Sequence, residues 1–173
     1  RRPPPRPAWG SRPPPHGAAE PVPGVPRDSG PRRGTVGLLL GCVQRESFPG
    51  VNAATARVLA AEGFDVLAPA SQGCCGALSA HNGREPEAAR FARRLIDTFE
   101  SAGVEHVVVN SAGCGSSMKE YAALLADDPA YAAPAEAFEG KGRDASAFLA
   151  EGEPVPPRHP RAGSAVSFLH LPA

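Results

Sequence analysis

Residues 34–42 have the sequence GTVGLLLGC, a short apolar run that ends in a glycine and a cysteine. The apolar part, Val36 to Leu40, is continuous rather than alternating, which is typical of a parallel strand buried on both faces. Two further runs of this type follow, at Phe64 to Leu67 and at Val104 to Val109. The sequence therefore predicts three buried parallel strands.

Segments with helical periodicity separate these strands. A first helix is predicted from Pro49 to Glu62, because its apolar positions share one face and Gly63 provides a stop. A second helix is predicted to start near Pro86 and to stop at Gly103. Strands that alternate with helices form right-handed βαβ crossovers, with helices on both faces of a parallel sheet. The predicted fold class is α/β with a Rossmann-like parallel sheet.

More helices are predicted after the third strand. Ser117 and Glu120 have the spacing of a capping box, which predicts a helix that begins there and extends through Leu125. Shorter helices are predicted around Ala135 and from Asp144 to Glu151.

The two ends of the chain differ in composition from this central part. Residues 1–34 are rich in proline and arginine and carry little apolar surface to bury, so we expect a disordered linker there. Residues 35–151 form the predicted domain. Residues 152–173 are predicted to be a Pro-rich linker followed by the truncated start of a further strand, at Ala165 to Leu171.

Composition narrows the class of protein. The 173-residue chain has 18 Lys plus Arg and 18 Asp plus Glu residues, so no net field attracts nucleic acid, and none is expected as a partner. Its apolar runs are too short for a bilayer span or a secretory signal, which favours a cytoplasmic location. Four cysteines in a reducing compartment indicate metal binding or redox chemistry rather than structural disulfides.

The positions of the cysteines carry the functional prediction. Cys42 follows the first predicted strand, Cys74 and Cys75 follow the second, and Cys114 follows the third. In open parallel sheets, ligands bind beyond the carboxyl ends of the strands. We therefore expect the four thiols to converge at that edge of the sheet.

Glycines accompany every cysteine, and they are candidate cofactor-binding positions. Glycine allows positive φ and a close approach of the backbone, so that amide N–H groups can face sulfide and thiolate charge. The helices that follow the loops are expected to lower the thiol pKa values through their positive ends. The glycines are Gly41, Gly73, Gly76, Gly113 and Gly115.

Adjacent cysteines favour an iron–sulfur cluster over a single zinc ion. The side chains of consecutive residues diverge, and a cluster offers them separate irons, whereas structural zinc more often uses C-x₂-C pairs. Zinc remains the alternative metal. A strained vicinal disulfide between Cys74 and Cys75, or simple burial of the thiols as small apolar groups, is also open.

Other polar residues give weaker signals. His81 is expected in a solvent-facing turn, and His106 is expected to pack within the third strand. Asn110 and the serines at 111, 116 and 117 could hydrogen-bond a cluster or cap a helix. Tyr121 is expected to make a helix–sheet contact. No Ser/His/Asp arrangement, Walker loop or G-x-G-x-x-G fingerprint is present.

The residues around the cysteines form distinctive sequence motifs. They are Gly41-Cys42-Val43-Gln44, Gln72-Gly73-Cys74-Cys75-Gly76 and Asn110 to Gly115, with Phe48-Pro49, Val51 to Thr55, Met118 to Tyr121 and Asp128 to Tyr131 around them. These motifs resemble the CCG cysteine-rich domain of heterodisulfide reductase, lactate-utilisation and glycolate oxidase iron–sulfur subunits, and are most similar to the last. The resemblance covers about residues 35–151.

This resemblance implies an electron-transfer subunit of an oxidoreductase that is not catalytic by itself. Such a subunit relays electrons from an FAD-containing glycolate oxidase subunit, which oxidises glycolate to glyoxylate, toward a membrane-side acceptor of the respiratory chain. It implies a 4Fe–4S cluster on Cys42, Cys74, Cys75 and Cys114, a cytoplasmic site peripheral to the inner face of the cell membrane, and a chain that is a fragment of the whole subunit.

One departure from the family pattern concerns the cluster. The broader motif ends in C-x-x-C, whereas here Ser117 stands three residues after Cys114. Four thiolates suffice for an ordinary 4Fe–4S cluster but not for the five-cysteine non-cubane type. The alternatives are a metal-free or zinc-bound docking scaffold of the same complex and a domain with heterodisulfide-reductase-like thiol/disulfide chemistry.

Overall fold

The computed structural model describes residues 32–152, which form one parallel sheet covered by helices. The predicted linkers lie outside the described residues apart from their inner ends, and so does the strand predicted at Ala165 to Leu171. The strands are β1 (Gly34–Leu39), β2 (Phe64–Leu67), β3 (His106–Val109) and β4 (Gly142–Asp144), in the order β2-β1-β3-β4. All three strand pairs are parallel, which confirms the predicted fold class.

Eight helices connect or follow the described strands. They are α1 (Cys42–Ser47), α2 (Pro49–Ala61), α3 (Ala77–His81), α4 (Glu85–Ser101), α5 (Ala112–Met118), α6 (Tyr121–Leu124), α7 (Ala132–Lys141) and α8 (Ala145–Glu151). Within residues 32–152 none of these helices combines the length and the apolarity that a membrane crossing requires.

The core consists of two apolar clusters, one on each face of the sheet. Leu38 of β1 packs with Leu59 of α2 and Phe148 of α8 on one face. Leu39, the next residue of β1, belongs to the other cluster with Phe99 of α4. Because successive strand residues point to opposite faces, a strand between two covered faces must be apolar throughout. This explains the unbroken apolar run of β1.

Gly37 interrupts that run for a steric reason. A Cβ at this position would lie 2.7 Å from ring atoms of Phe99, so α4 could not pack against β1 at its present distance. The longest helix of the described residues, α4, thus packs directly on β1, one of the two inner strands.

The prediction for the region after β3 was partly wrong. One helix was expected from Ser117 through Leu125, but the structure has two: α5, which begins at Ala112 with Ser111 as its N-cap residue, and the short α6. Ser117 is a buried residue near the end of α5, so it caps no helix. The short helices α1 and α3 and the strand β4 were not predicted, because six, five and three residues are too few to show a periodic pattern.

Candidate functional site

The carboxyl edge of the sheet carries all four cysteines. Cys42 is the first residue of α1, three residues after the end of β1, and Cys114 lies in the first turn of α5, after β3. Cys74 and Cys75 occupy the loop between β2 and α3. This is the arrangement that the order of strands and cysteines predicted, because parallel strands end at the same edge.

The thiols are in contact as two pairs. The Sγ atoms of Cys42 and Cys74 are 3.3 Å apart, and the side chains of Cys75 and Cys114 are hydrogen-bonded. The pairs adjoin each other, since Cys114 Sγ lies 3.8 Å from where a Cβ of Gly41 would be. All four cysteines are free thiols, so the vicinal disulfide considered for Cys74 and Cys75 is not formed.

Hydrogen bonding and burial separate the pKa values of Cys75 and Cys114. The hydrogen bond to Cys114, together with burial, raises the pKa of Cys75, which is only 2% exposed. The same hydrogen bond lowers the pKa of Cys114 to about 6, with help from the Ser111 side chain and against the effect of burial. Cys114 is therefore the thiol of this pair that ionises first, with Cys75 as its donor.

At Cys42 the pKa is raised although the thiol lies at the start of a helix. Burial raises its pKa, and the hydrogen bond and charge of Cys74 raise it further. The backbone N–H of Val43, in the first turn of α1, lowers this pKa as expected of a helix start, but burial and Cys74 outweigh its effect.

The five glycines do not share one role. Gly41 and Gly76 have φ values of +67° and +86°, and a Cβ on Gly76 would lie 3.1 Å from the Ala88 carbonyl oxygen of α4. Gly76 also donates its N–H to Cys74 Sγ at 3.4 Å, the kind of amide contact that was expected. Gly115 lies inside α5, where a Cβ would be 3.2 Å from Val109. Gly113 lies within α5. Gly73 lies beside the Arg94 side chain.

Five polar side chains underlie the cysteine loops, and of these only Asn110 was named as a functional candidate from the sequence. Gln72 and Asn52, both 3% exposed, hydrogen-bond the end of β1. The Gln44 side chain donates to Asn52 at 2.6 Å and also to Asn110, which in turn donates to Thr55. Because Gln44 follows Cys42 and Asn110 precedes Cys114, these bonds connect two cysteine loops. Their one signal in the sequence is that all five lie in the motifs of the resemblance.

Tyr121 also belongs to the site rather than to a simple helix–sheet contact. Its hydroxyl donates to the Cys75 carbonyl oxygen at 2.6 Å, and its ring is completely buried against Phe138. Burial raises its pKa, and the nearby thiols raise it further, so the hydroxyl remains a donor at neutral pH. Tyr121 thus holds the peptide that joins Cys75 to Gly76.

The remaining candidates lie away from the thiols or face solvent. His81 is exposed at the end of α3, as predicted. His106 packs against Phe148 at the amino end of β3, and its Nδ1 is buried without a hydrogen-bond partner. Ser116 is exposed, and so is Lys119, which was not a candidate from the sequence. None of these four contributes to the cysteine edge.

The donor set fits an iron–sulfur cluster better than a single metal ion. Among residues 32–152, no three His, Cys, Asp or Glu side chains are arranged to hold one ion. Four thiols from three loops nevertheless adjoin at one edge, and thiolate sulfur is the ligand that iron–sulfur clusters use. Cys42, Cys74, Cys75 and Cys114 are the residues that would hold such a cluster.

Comparison with known proteins gives matches over the same region. Residues 36–119 match the family described as CCG, Cysteine-rich domain. The chain is 38% identical over 122 residues to the probable glycolate oxidase iron–sulfur subunit of Bacillus subtilis, covering 70% of this chain and 28% of that protein. It is 38% identical over 117 residues to the glycolate oxidase iron–sulfur subunit of Escherichia coli, covering 66% and 29%.

A second group of relatives has another name. Lactate utilization protein A of an Exiguobacterium species is 34% identical over 116 residues, covering 67% of this chain and 47% of that protein. The matched region thus spans between 28% and 47% of these three relatives. No solved structure matches the chain.

Proposed function

Because residues 36–119 belong to the CCG cysteine-rich domain family, as their motifs predicted, we propose that this domain binds an iron–sulfur cluster and transfers electrons within an oxidoreductase complex. The observation that carries the proposal is the contact of four free thiols from three loops. The relatives that are named iron–sulfur subunits support the same cofactor.

Cys42, Cys74, Cys75 and Cys114 are the proposed ligands of a 4Fe–4S cluster. When bound, the cluster supplies one-electron redox chemistry, and the protein supplies position and electrostatics. Gly76 N–H already donates to Cys74 Sγ, and Tyr121 fixes the carbonyl of Cys75. Since Cys114 ionises near pH 6, one ligand is a thiolate at neutral pH before any iron arrives.

Ser117 supports the ordinary cluster type. It lies one helical turn after Cys114 on α5, where the wider family pattern has a fifth cysteine, and it is 8% exposed. A hydroxyl at that position is a poor iron ligand compared with a thiolate. Four cysteine ligands and one cubane cluster are therefore the proposed stoichiometry.

The proposed complex is a glycolate oxidase. Both relatives with that name are 38% identical to the chain, against 34% for the lactate utilization protein. In this proposal an FAD-containing subunit oxidises glycolate, the cluster receives its electrons, and a membrane-side acceptor takes them at the inner face of the cell membrane. The chain by itself performs no catalysis.

Anaerobic reconstitution of the full chain with iron and sulfide tests the proposal. About four irons and four sulfides per chain are expected, with an electron paramagnetic resonance signal after reduction. Stoichiometric zinc without iron, or no bound metal at all, would contradict it and favour the docking scaffold. A chain in which all four cysteines are replaced by serine is the control for adventitious iron.

A further inference from the structure

The side chain of Gln72 continues the sheet beyond the point where β2 ends. The pairing of β2 with β1 stops at Leu67, which lies opposite Gly37. One residue later along β1, Gln72 Nε2 donates to the Leu38 carbonyl oxygen at 3.2 Å, and its Oε1 accepts from the Leu40 N–H at 2.8 Å. A primary amide has one donor side and one acceptor side, as a peptide group has. Gln72 therefore takes the place of a strand neighbour.

The hydrogen bonds between Gln72 and the end of β1 lie close in sequence to two cysteines. Leu40 is two residues before Cys42, and Gln72 is two residues before Cys74. The hydrogen bond between Leu40 and Gln72 therefore limits how far the thiols of Cys42 and Cys74 can separate, and their Sγ atoms are 3.3 Å apart. Cys42 and Cys74 are 32 residues apart in sequence, so local chain geometry alone does not hold them together.

Further hydrogen bonds fix the positions of both Leu40 and Gln72. The Leu40 carbonyl oxygen accepts from Asn52 Nδ2 of α2 at 2.9 Å. The backbone carbonyl of Gln72 accepts from Arg45 of α1 at 3.3 Å, and its backbone N–H donates to the Pro69 carbonyl oxygen at 3.2 Å. The backbone and the side-chain amide of Gln72 are therefore both fixed. Any other side-chain conformation would leave buried polar groups unpaired.

We propose that Gln72 is a positioning residue of the cluster site, and that its side-chain amide sets the distance between the Cys42 and Cys74 thiols. This inference rests on the proposed function for its purpose, although the distance can be measured without a cluster. A glutamine that only stabilised the fold would change the unfolding transition and leave the reactivity between these two thiols in the folded chain unchanged.

The test compares Gln72→Met, which keeps length and loses both hydrogen bonds, with Leu59→Ala, which weakens the core between α2 and the sheet. Each full chain, without metal, is treated with oxidised glutathione at a temperature where it is folded. One thiolate attacks the glutathione disulfide and releases one glutathione, and the other thiolate then displaces the second. Mass spectrometry measures formation of the Cys42–Cys74 disulfide.

The Gln72→Met chain is expected to form this disulfide roughly tenfold more slowly than the wild-type chain, because small displacements of reacting groups have large effects on rate. Leu59→Ala is expected to react at the wild-type rate. Equal rates for Gln72→Met and wild type, or equal slowing in both variants, would overturn the inference. If Gln72→Met does not fold, Gln72→Asn, which is one methylene too short to reach both partners, is measured with the same outcomes.

A second measurement connects the inference to the cluster. In reconstituted chains, Gln72→Met is expected to change the electron paramagnetic resonance signal, whereas Leu59→Ala is expected to keep it. If the wild-type chain takes up no iron, the proposed function fails, and the disulfide rates still decide the role of Gln72.

Discussion

At the carboxyl edge of the sheet, four thiols lie with the buried amides of Gln72 and Asn52, whereas at the amino edge Phe64 and His106 pack against Phe148. The ring centroids of Phe64 and His106 lie 5.0 and 5.3 Å from that of Phe148. The guanidinium of Arg33, which is paired with Glu62, lies over the Phe64 ring. The same strands therefore end in two different kinds of surroundings.

The difference follows from what each edge must hold. Apolar contacts stabilise an edge without fixing any one atom, because the hydrophobic effect has no direction. Hydrogen bonds are directional, so buried amides can hold individual loops in place. The loss of one such bond leaves a buried polar group unpaired, which destabilises the fold. We therefore expect substitutions at the cysteine edge to affect cofactor binding and substitutions at the amino edge to affect stability alone.

The largest effect is expected at Cys114. Cys114→Ser removes a thiol whose pKa is lowered to about 6 and should lose most of the bound iron after reconstitution, while circular dichroism of the chain stays unchanged. Serine has almost the same size, so loss of packing does not explain the result. Full iron content in this variant would show that Cys114 is not a cluster ligand and would contradict the proposed four-cysteine site.

The matching change at the amino edge is Phe148→Ala. It removes the ring that contacts both Phe64 and His106 and should lower the free energy of unfolding by about 3 kcal/mol, measured by urea titration. Iron per folded chain should remain at the wild-type value. A Phe148→Ala chain that is folded but takes up no iron would show that the two edges are not independent.

The thiols of the cysteine edge should also differ among themselves. In the metal-free chain at pH 7, iodoacetamide should modify Cys114 at least about tenfold faster than Cys42, because the pKa of Cys114 is lowered to about 6 and that of Cys42 is raised. The rate at Cys114 should fall as the pH drops below about 6, since the thiolate is then protonated. Peptide mapping from pH 5 to 8 measures both rates, and equal rates at the two sites would contradict the hydrogen-bonded pair.

The smallest effect is expected from the loss of one hydroxyl. Tyr121→Phe keeps the stacking on Phe138 and leaves the Cys75 carbonyl oxygen unpaired, so the free energy of unfolding should fall by about 1 kcal/mol. Tyr131→Phe is the matched control, because its hydroxyl bonds Asp97 at the surface and should contribute less. Equal losses of unfolding free energy in the two variants would show that the Tyr121 hydroxyl contributes no more than a surface hydroxyl, and would contradict its role at the cysteine site.

Some of this comparison was predictable from the sequence. The continuous apolar runs located β1, β2 and β3, and Pro49 and Gly63 bounded α2 to within one residue. The cysteines then had to share an edge, because each follows a parallel strand. The strand β4 and the start of α5 were not predictable in this way, since three residues show no period and Ser111 competed with Ser117 as a cap.

The sequence by itself therefore determined three of the four described strands, the long helices α2 and α4, and the edge at which the four cysteines meet. Only the tertiary structure decided which thiols pair, which thiol of the Cys75–Cys114 pair ionises first, and that Gln72 and Tyr121 hold the loop between β2 and α3. These features depend on single hydrogen bonds between residues 32 to 46 positions apart, such as Gln72 with Leu40 and Tyr121 with Cys75. Such bonds are set by where the packed helices and strands place each side chain, and no local periodicity reports them.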